Sequence, residues 1–104
     1  MEKKAAPKKE KFILKATVLL IIKHPEDNKW IVINETKNRG LSCPGGHVHP
    51  PDNFYQTAAK VAQKEAGIDI EIKGLLRMEH YTWKDTKNMK MRIIFYCQPK
   101  NPKQ

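Results

Sequence analysis

Acid is scarce in this chain. It carries 11 Asp and Glu against 20 Lys and Arg, and its formal net charge is +9. A basic surface of this kind favours phosphate-bearing partners such as nucleotides, nucleic acid or anionic membrane. A well-solvated lysine surface gives the same count. Cysteine is scarce as well. Cys43 and Cys97 alone make neither a disulfide framework nor a paired-cysteine zinc site, so reduced thiols of cytosolic type are the default. Long apolar runs are missing: the longest, residues 16–22, is far too short to span a bilayer. No apolar signal core follows the first lysines, and Glu2 and Glu10 do not suit a mitochondrial presequence. The expectation is an intracellular protein, cytoplasmic by default, with organelle and nucleus open.

What is there amounts to one small domain: 104 residues, 39% hydrophobic. Residues 1–11 and 100–104 are Lys- and Pro-rich without apolar periodicity and read as basic tails around a domain of residues 12–99. Residues 12–23 (FILKATVLLIIK) are apolar nearly throughout, as a strand covered on both faces would be. A turn cluster (HPEDN) leads to a second strand, WIVIN, predicting a hairpin. A polar turn at residues 37–40 and the approach to Gly45-Gly46 follow. Pro50-Pro51 stops any regular element. A helix then starts with Asp52 at its N-cap, Asn53 being the rival, and runs to about Ala66 with Gly67 as terminator. Strands are expected at residues 68–72, 75–83 and 91–97, with a polar loop between the last two. The fold class is therefore α+β, a mixed sheet with a covering helix.

The central stretch is GGHVHPPDNFYQTAAKVAQKEAGI, residues 45–68. From Gly46, five residues lead to Asp52 and seven more to Lys60, then Val61, Ala62, Gln63, Lys64, Glu65, Ala66, Gly67 and Ile68. This spacing resembles the Nudix box, G-x5-E-x7-R-E-U-x-E-E-x-G-U with U aliphatic, and the frame fits without a gap. The strand order and the later segments GLLRMEH and MRIIFY also resemble that family. The resemblance implies a Nudix-like mixed sheet, expected without the family's usual C-terminal strand and helix. It further implies a diphosphate-cleaving site in which Mg²⁺ or Mn²⁺ activates water and neutralises phosphate, held by helix carboxylates.

Position by position, the scaffold is kept and the acids are thinned. Gly45 and Gly46 remain, and the resemblance has them permit a turn whose carbonyl faces a metal. Asp52 replaces the first glutamate, Lys60 the arginine, Val61 and Lys64 two further glutamates; Glu65 matches the last. An ammonium at Lys64 would repel a divalent ion by about 4 kcal/mol per unit of metal charge at ~4 Å and an effective dielectric of ~20. Lysine can itself neutralise phosphate. The resemblance thus implies Gly45, Gly46, Lys60 and Lys64 as phosphate-binding residues and Glu65 as a residual catalytic group. Gly46, Asp52 and Glu65 are metal ligands only if the site is active.

Helical geometry places Phe54, Tyr55, Ala58, Ala59, Val61, Ala62 and Ala66 on an apolar arc, and Gln56, Thr57, Lys60, Gln63 and Lys64 on the polar face. Glu65 falls on the apolar side near the helix C-terminus, where the macrodipole disfavours an anion. It is either a surviving ligand or a carboxylate paired with a neighbouring cation or reaching water. Cys43, His47 and His49 could bind a soft metal but read better as polar loop residues. Glu79 reads as a stray ligand or, better, a strand-edge pair with His80. Tyr81 and Trp83 fit base stacking or rim packing.

The favoured expectation is a Nudix-fold domain, inactive or weak, needing no cofactor and kept for phosphate or nucleotide binding or as a subunit of a larger assembly. The alternatives are an active hydrolase using Mg²⁺ or Mn²⁺ and a basic RNA- or ribonucleoprotein-associated module. Without a C-terminal covering helix, Ile93, Ile94 or Phe95 are expected to be exposed.

Overall fold

The computed structural model describes residues 13–35, 40–82 and 87–101. The tail at residues 1–11, most of the turn at 37–40 and Trp83 lie outside the described residues.

The first strand, β1 (Ile13–Lys23), is the spine of the sheet. On one side it pairs antiparallel with β2 (Trp30–Ile31) and β5 (Gly45–His47), and on the other side parallel with β7 (Asn88–Pro99). The long strand β6 (Ile70–Thr82) closes the far edge, antiparallel to β7. A separate two-stranded ribbon joins β3 (Ile33–Glu35) to β4 (Gly40–Ser42). One helix, α1 (Phe54–Val61), continues through a wider turn at Ala62–Ala66 and lies on one face. The sheet is mixed and the class is α+β.

Several boundaries differ from those the sequence predicts. The expected hairpin partner splits: Trp30 and Ile31 pair with β1, while Ile33–Glu35 turns away to β4. The two strands expected around Gly74 are one continuous strand. Irregularities at Ile72/Gly74 and Leu75/Arg77 absorb the extra residues as bulges, which break the period-two pattern on which a sequence reading relies. The last strand is longer at both ends than residues 91–97.

The core forms where α1 meets the sheet. Val18, Leu20 and Ile22 point toward the helix, beside Ile93, Phe95 and Cys97 in the parallel register. Ala58, Val61 and Ala62 face them from the helix. Ile93 and Phe95 are therefore buried, contrary to expectation, because α1 covers their side of β7. Only Ile94, on the opposite face, is partly exposed. Burial pushes the Cys97 thiol up to about 12. The two faces of β1 are also unequal, since Leu19 and Ile21 are only half-buried.

The helix begins at Asn53, not Asp52. Asn53 accepts the Gln56 N–H at 2.9 Å and Gln56 Oε1 accepts the Asn53 N–H at 2.9 Å, a reciprocal capping box. Asp52 is thereby left free to pair elsewhere. The terminator is as expected: Gly67 has a φ of 67° and donates to the Gln63 carbonyl at 3.0 Å.

Candidate functional site

A cleft of about 400 Å³ opens between β5 and α1. Its walls include Gly45 and Gly46 on one side and Asp52, Lys60, Lys64 and Glu65 on the other. All six site residues singled out from the sequence thus meet around one space. His47, His49, Thr57 and Val61 complete the lining.

Close packing explains the glycine pair. A Cβ on Gly45 would lie 2.9 Å from the Val18 carbonyl oxygen, and one on Gly46 would lie 2.8 Å from Val61 Cγ2. Neither has the positive φ expected of an unusual turn. Both sit in a regular strand that presses against β1 and against the helix. The Leu20 N–H donates to the Pro44 carbonyl and the Val48 N–H to the Ala16 carbonyl, each at 2.8 Å, extending that ladder beyond both ends of β5.

The charges of the cleft are partly spent on one another. Lys60 Nζ pairs with Asp52 Oδ2 at 2.6 Å. Being exposed, such a pair adds at most about 1 kcal/mol of stability. Glu65 Oε1 accepts the Gly45 N–H at 3.4 Å, so the half-buried carboxylate bridges α1's extension to β5. Among the described residues it has no cationic partner. Lys64 is exposed and likewise has no acidic partner among the described residues.

Three helix positions depart from the expected faces. Tyr55 and Ala59 are exposed, while Thr57 is 5% exposed. The helix is rolled so that Thr57 lines the cleft, and its hydroxyl finds no hydrogen-bond partner among the described residues. The sequence offered no sign of this, because threonine suits a polar face equally well.

Neither a protein-family model nor a curated protein sequence matches the chain. Solved structures do. A NUDIX hydrolase from Nitrosomonas europaea superposes with a TM-score of 0.65 at 21% identity, over 84% of this chain and 60% of that one. The MutT protein from Methanosarcina mazei Go1 gives 0.64 at 17%, over 85% and 65%. The C. elegans Ap4A hydrolase gives 0.58 at 18%, over 90% and 73%. The chain has the Nudix fold. It spans less than two thirds of the length of the first two structures it matches.

A Nudix site that cleaves diphosphates calls for a divalent ion, and these residues do not make a fitting donor set. Mg²⁺ takes oxygen ligands in near-octahedral geometry. Among the described residues no three His, Cys, Asp or Glu side chains gather as a metal site. Asp52 is taken up by Lys60, a Val61 methyl packs against Gly46, and Lys64 brings a positive charge to the same wall. The soft-metal grouping does not form either: Cys43 lines a different hollow, with Ile21 and Trp30, leaving His47 and His49 with ring centroids 6.0 Å apart.

Glu79 is not in this cleft. On the β6–β7 pair it accepts Arg92 Nε at 2.6 Å and pairs with Arg77 Nε at 3.3 Å. The Arg92 hydrogen bond holds its carboxyl below the usual carboxylate range, although burial pushes the other way. Its partner is thus Arg92, directly opposite in the register, and not His80.

Proposed function

We propose that the cleft binds a phosphate-bearing ligand, such as a nucleotide, through lysine and without a divalent ion, and that it cleaves diphosphates feebly or not at all. The observation that supports this is the pairing of Val61 with Gly46 beside Lys64. Hydrocarbon and ammonium stand where the Nudix resemblance calls for carboxylates. Lys64 supplies a compact, mobile positive charge with three donors. Lys60 can leave the exposed Asp52 pair at little energetic cost to meet a phosphate. Glu65 braces the β5 backbone and keeps the cleft's shape. The likeness to a diphosphate-cleaving fold supports the choice of ligand class and leaves its identity open.

The experiment is calorimetric titration of the chain with inorganic pyrophosphate and nucleoside diphosphates, with and without Mn²⁺. Binding that needs no metal and is weakened by Lys64→Gln is the expected result. Turnover of nucleotide substrates that needs Mg²⁺ or Mn²⁺ and vanishes in Glu65→Gln would establish the hydrolase reading instead. In the converse variant, Val61→Glu with Lys64→Glu, a divalent-ion site should appear at millimolar Mn²⁺.

A further inference from the structure

The face of the sheet turned away from α1 carries a second, separate concentration of charge. The register of β1, β7 and β6 places Lys15, Lys90 and Tyr81 side by side in one row across three strands. One row along the strands, Thr17, Arg92 and Glu79 are neighbours, and one further row brings Leu19, Ile94 and Arg77 together. At the other end of β1, Lys23 is paired with Trp30, its Nζ 5.3 Å from the ring centroid. Like charges placed directly across neighbouring strands destabilise a sheet. Among the described residues Lys15 and Lys90 have no acidic partner, and the neighbouring acid Glu79 is already shared by Arg77 and Arg92.

Between these charged ends the floor is apolar. Leu19, Ile21, Ile94 and Tyr96 are half-buried there. Trp30 is 54% exposed and Tyr81 43%. Trp30 also walls an apolar hollow of about 360 Å³ with Ile21, Val32 and Cys43. From Lys15 to Lys23 the strand runs about 26 Å at ~3.3 Å per residue, which suits a short single-strand site of about four nucleotides. Cations at both ends of an apolar sheet face, with an exposed aromatic ring near each end, match a chain that offers both anionic groups and unpaired bases. An acidic polypeptide offers only the anions.

We propose that this outer sheet face binds single-stranded nucleic acid, with Lys15 and Lys90 on the phosphates and Trp30 and Tyr81 stacking on bases. The site is independent of the α1 cleft and holds whether or not the cleft binds a nucleotide.

The test is fluorescence anisotropy of the full chain with a labelled single-stranded 12-mer over a salt series. Lys15→Gln with Lys90→Gln should weaken binding about tenfold and make the log–log salt slope shallower by about 1.4, two phosphate contacts at ~0.7 each. Trp30→Ala should weaken it about tenfold with the slope unchanged, as for one lost stacked base. Lys64→Gln should leave it untouched, which separates this face from the cleft. Circular dichroism checks that each variant folds. The proposal fails if neither face variant changes affinity, since binding would then rest on lysines elsewhere. It also fails if Lys64→Gln alone weakens binding, which would place the strand in the cleft. Equal binding of duplex, or equal competition by polyglutamate at matched charge, would overturn it too.

Discussion

The two faces of the sheet are built from the same strands and have opposite characters. Toward α1, Val18, Leu20 and Ile22 interlock with Ile93, Phe95 and Cys97 and are at most 7% exposed. On the other face, one residue along each strand, stand Lys15, Thr17, Leu19 and Ile21 beside Lys90, Arg92, Ile94 and Tyr96. A strand's side chains alternate, so a single sequence writes both surfaces at once. Stability resides in one set and charge in the other. Substitutions should therefore separate by whether α1 covers the position.

The largest effect is expected at the centre of the packed face. Leu20→Ala, at a fully buried site, should cost about 2–5 kcal/mol in chemical denaturation, whereas Leu75→Ala, 58% exposed, should stay within about 0.5 kcal/mol. A loss at Leu75 matching that at Leu20 would mean that the exposed flank of β6 is covered in solution.

Next comes the contact that joins the packed face to the cleft. Gly46→Ala should cost about 1–3 kcal/mol through overpacking on Val61. Val61→Ala in the same chain should restore part of it, and a double-mutant cycle would read the coupling. Simple additivity would mean that the two residues are not in contact.

Asn53→Ala removes the capping box and should cost about 1 kcal/mol. Asp52→Ala should cost less, because Asp52 is not the cap and its Lys60 pair is exposed.

The smallest effect belongs to the charged face. The Glu79 carboxyl sits below the usual carboxylate range, chiefly because Arg92 donates to it. A group whose folded value is lowered adds stability above its unfolded value and loses it as the pH falls through the folded one. Glu79→Gln should therefore be slightly less stable than the parent chain at neutral pH and indistinguishable from it in strong acid. Paired urea melts at the two pH values measure this.

The helix and its ends were legible because they obey local rules: apolar spacing, a polar cap and Gly67 as terminator. The choice between Asp52 and Asn53 was not, since either side chain can cap and only the Gln56 reciprocity decides. The cleft residues were legible as a spacing. What each does there was less so, because the partners lie far away in sequence: Glu65 meets the Gly45 backbone and Val61 meets Gly46. Thr57 escaped notice because a small roll of the helix decides whether it faces water or the floor. Sheet order was the least legible, for no local pattern announces that β1 lies beside β7.

That neighbourhood has a consequence for how the chain assembles. Residues 13–22 find their parallel partners only at residues 88–97. Nearly the whole domain must be threaded before its central strand pair can close, and such distant closures slow folding. During synthesis β1 can pair early with β2 and β5, but its other edge stays open until β7 has left the ribosome.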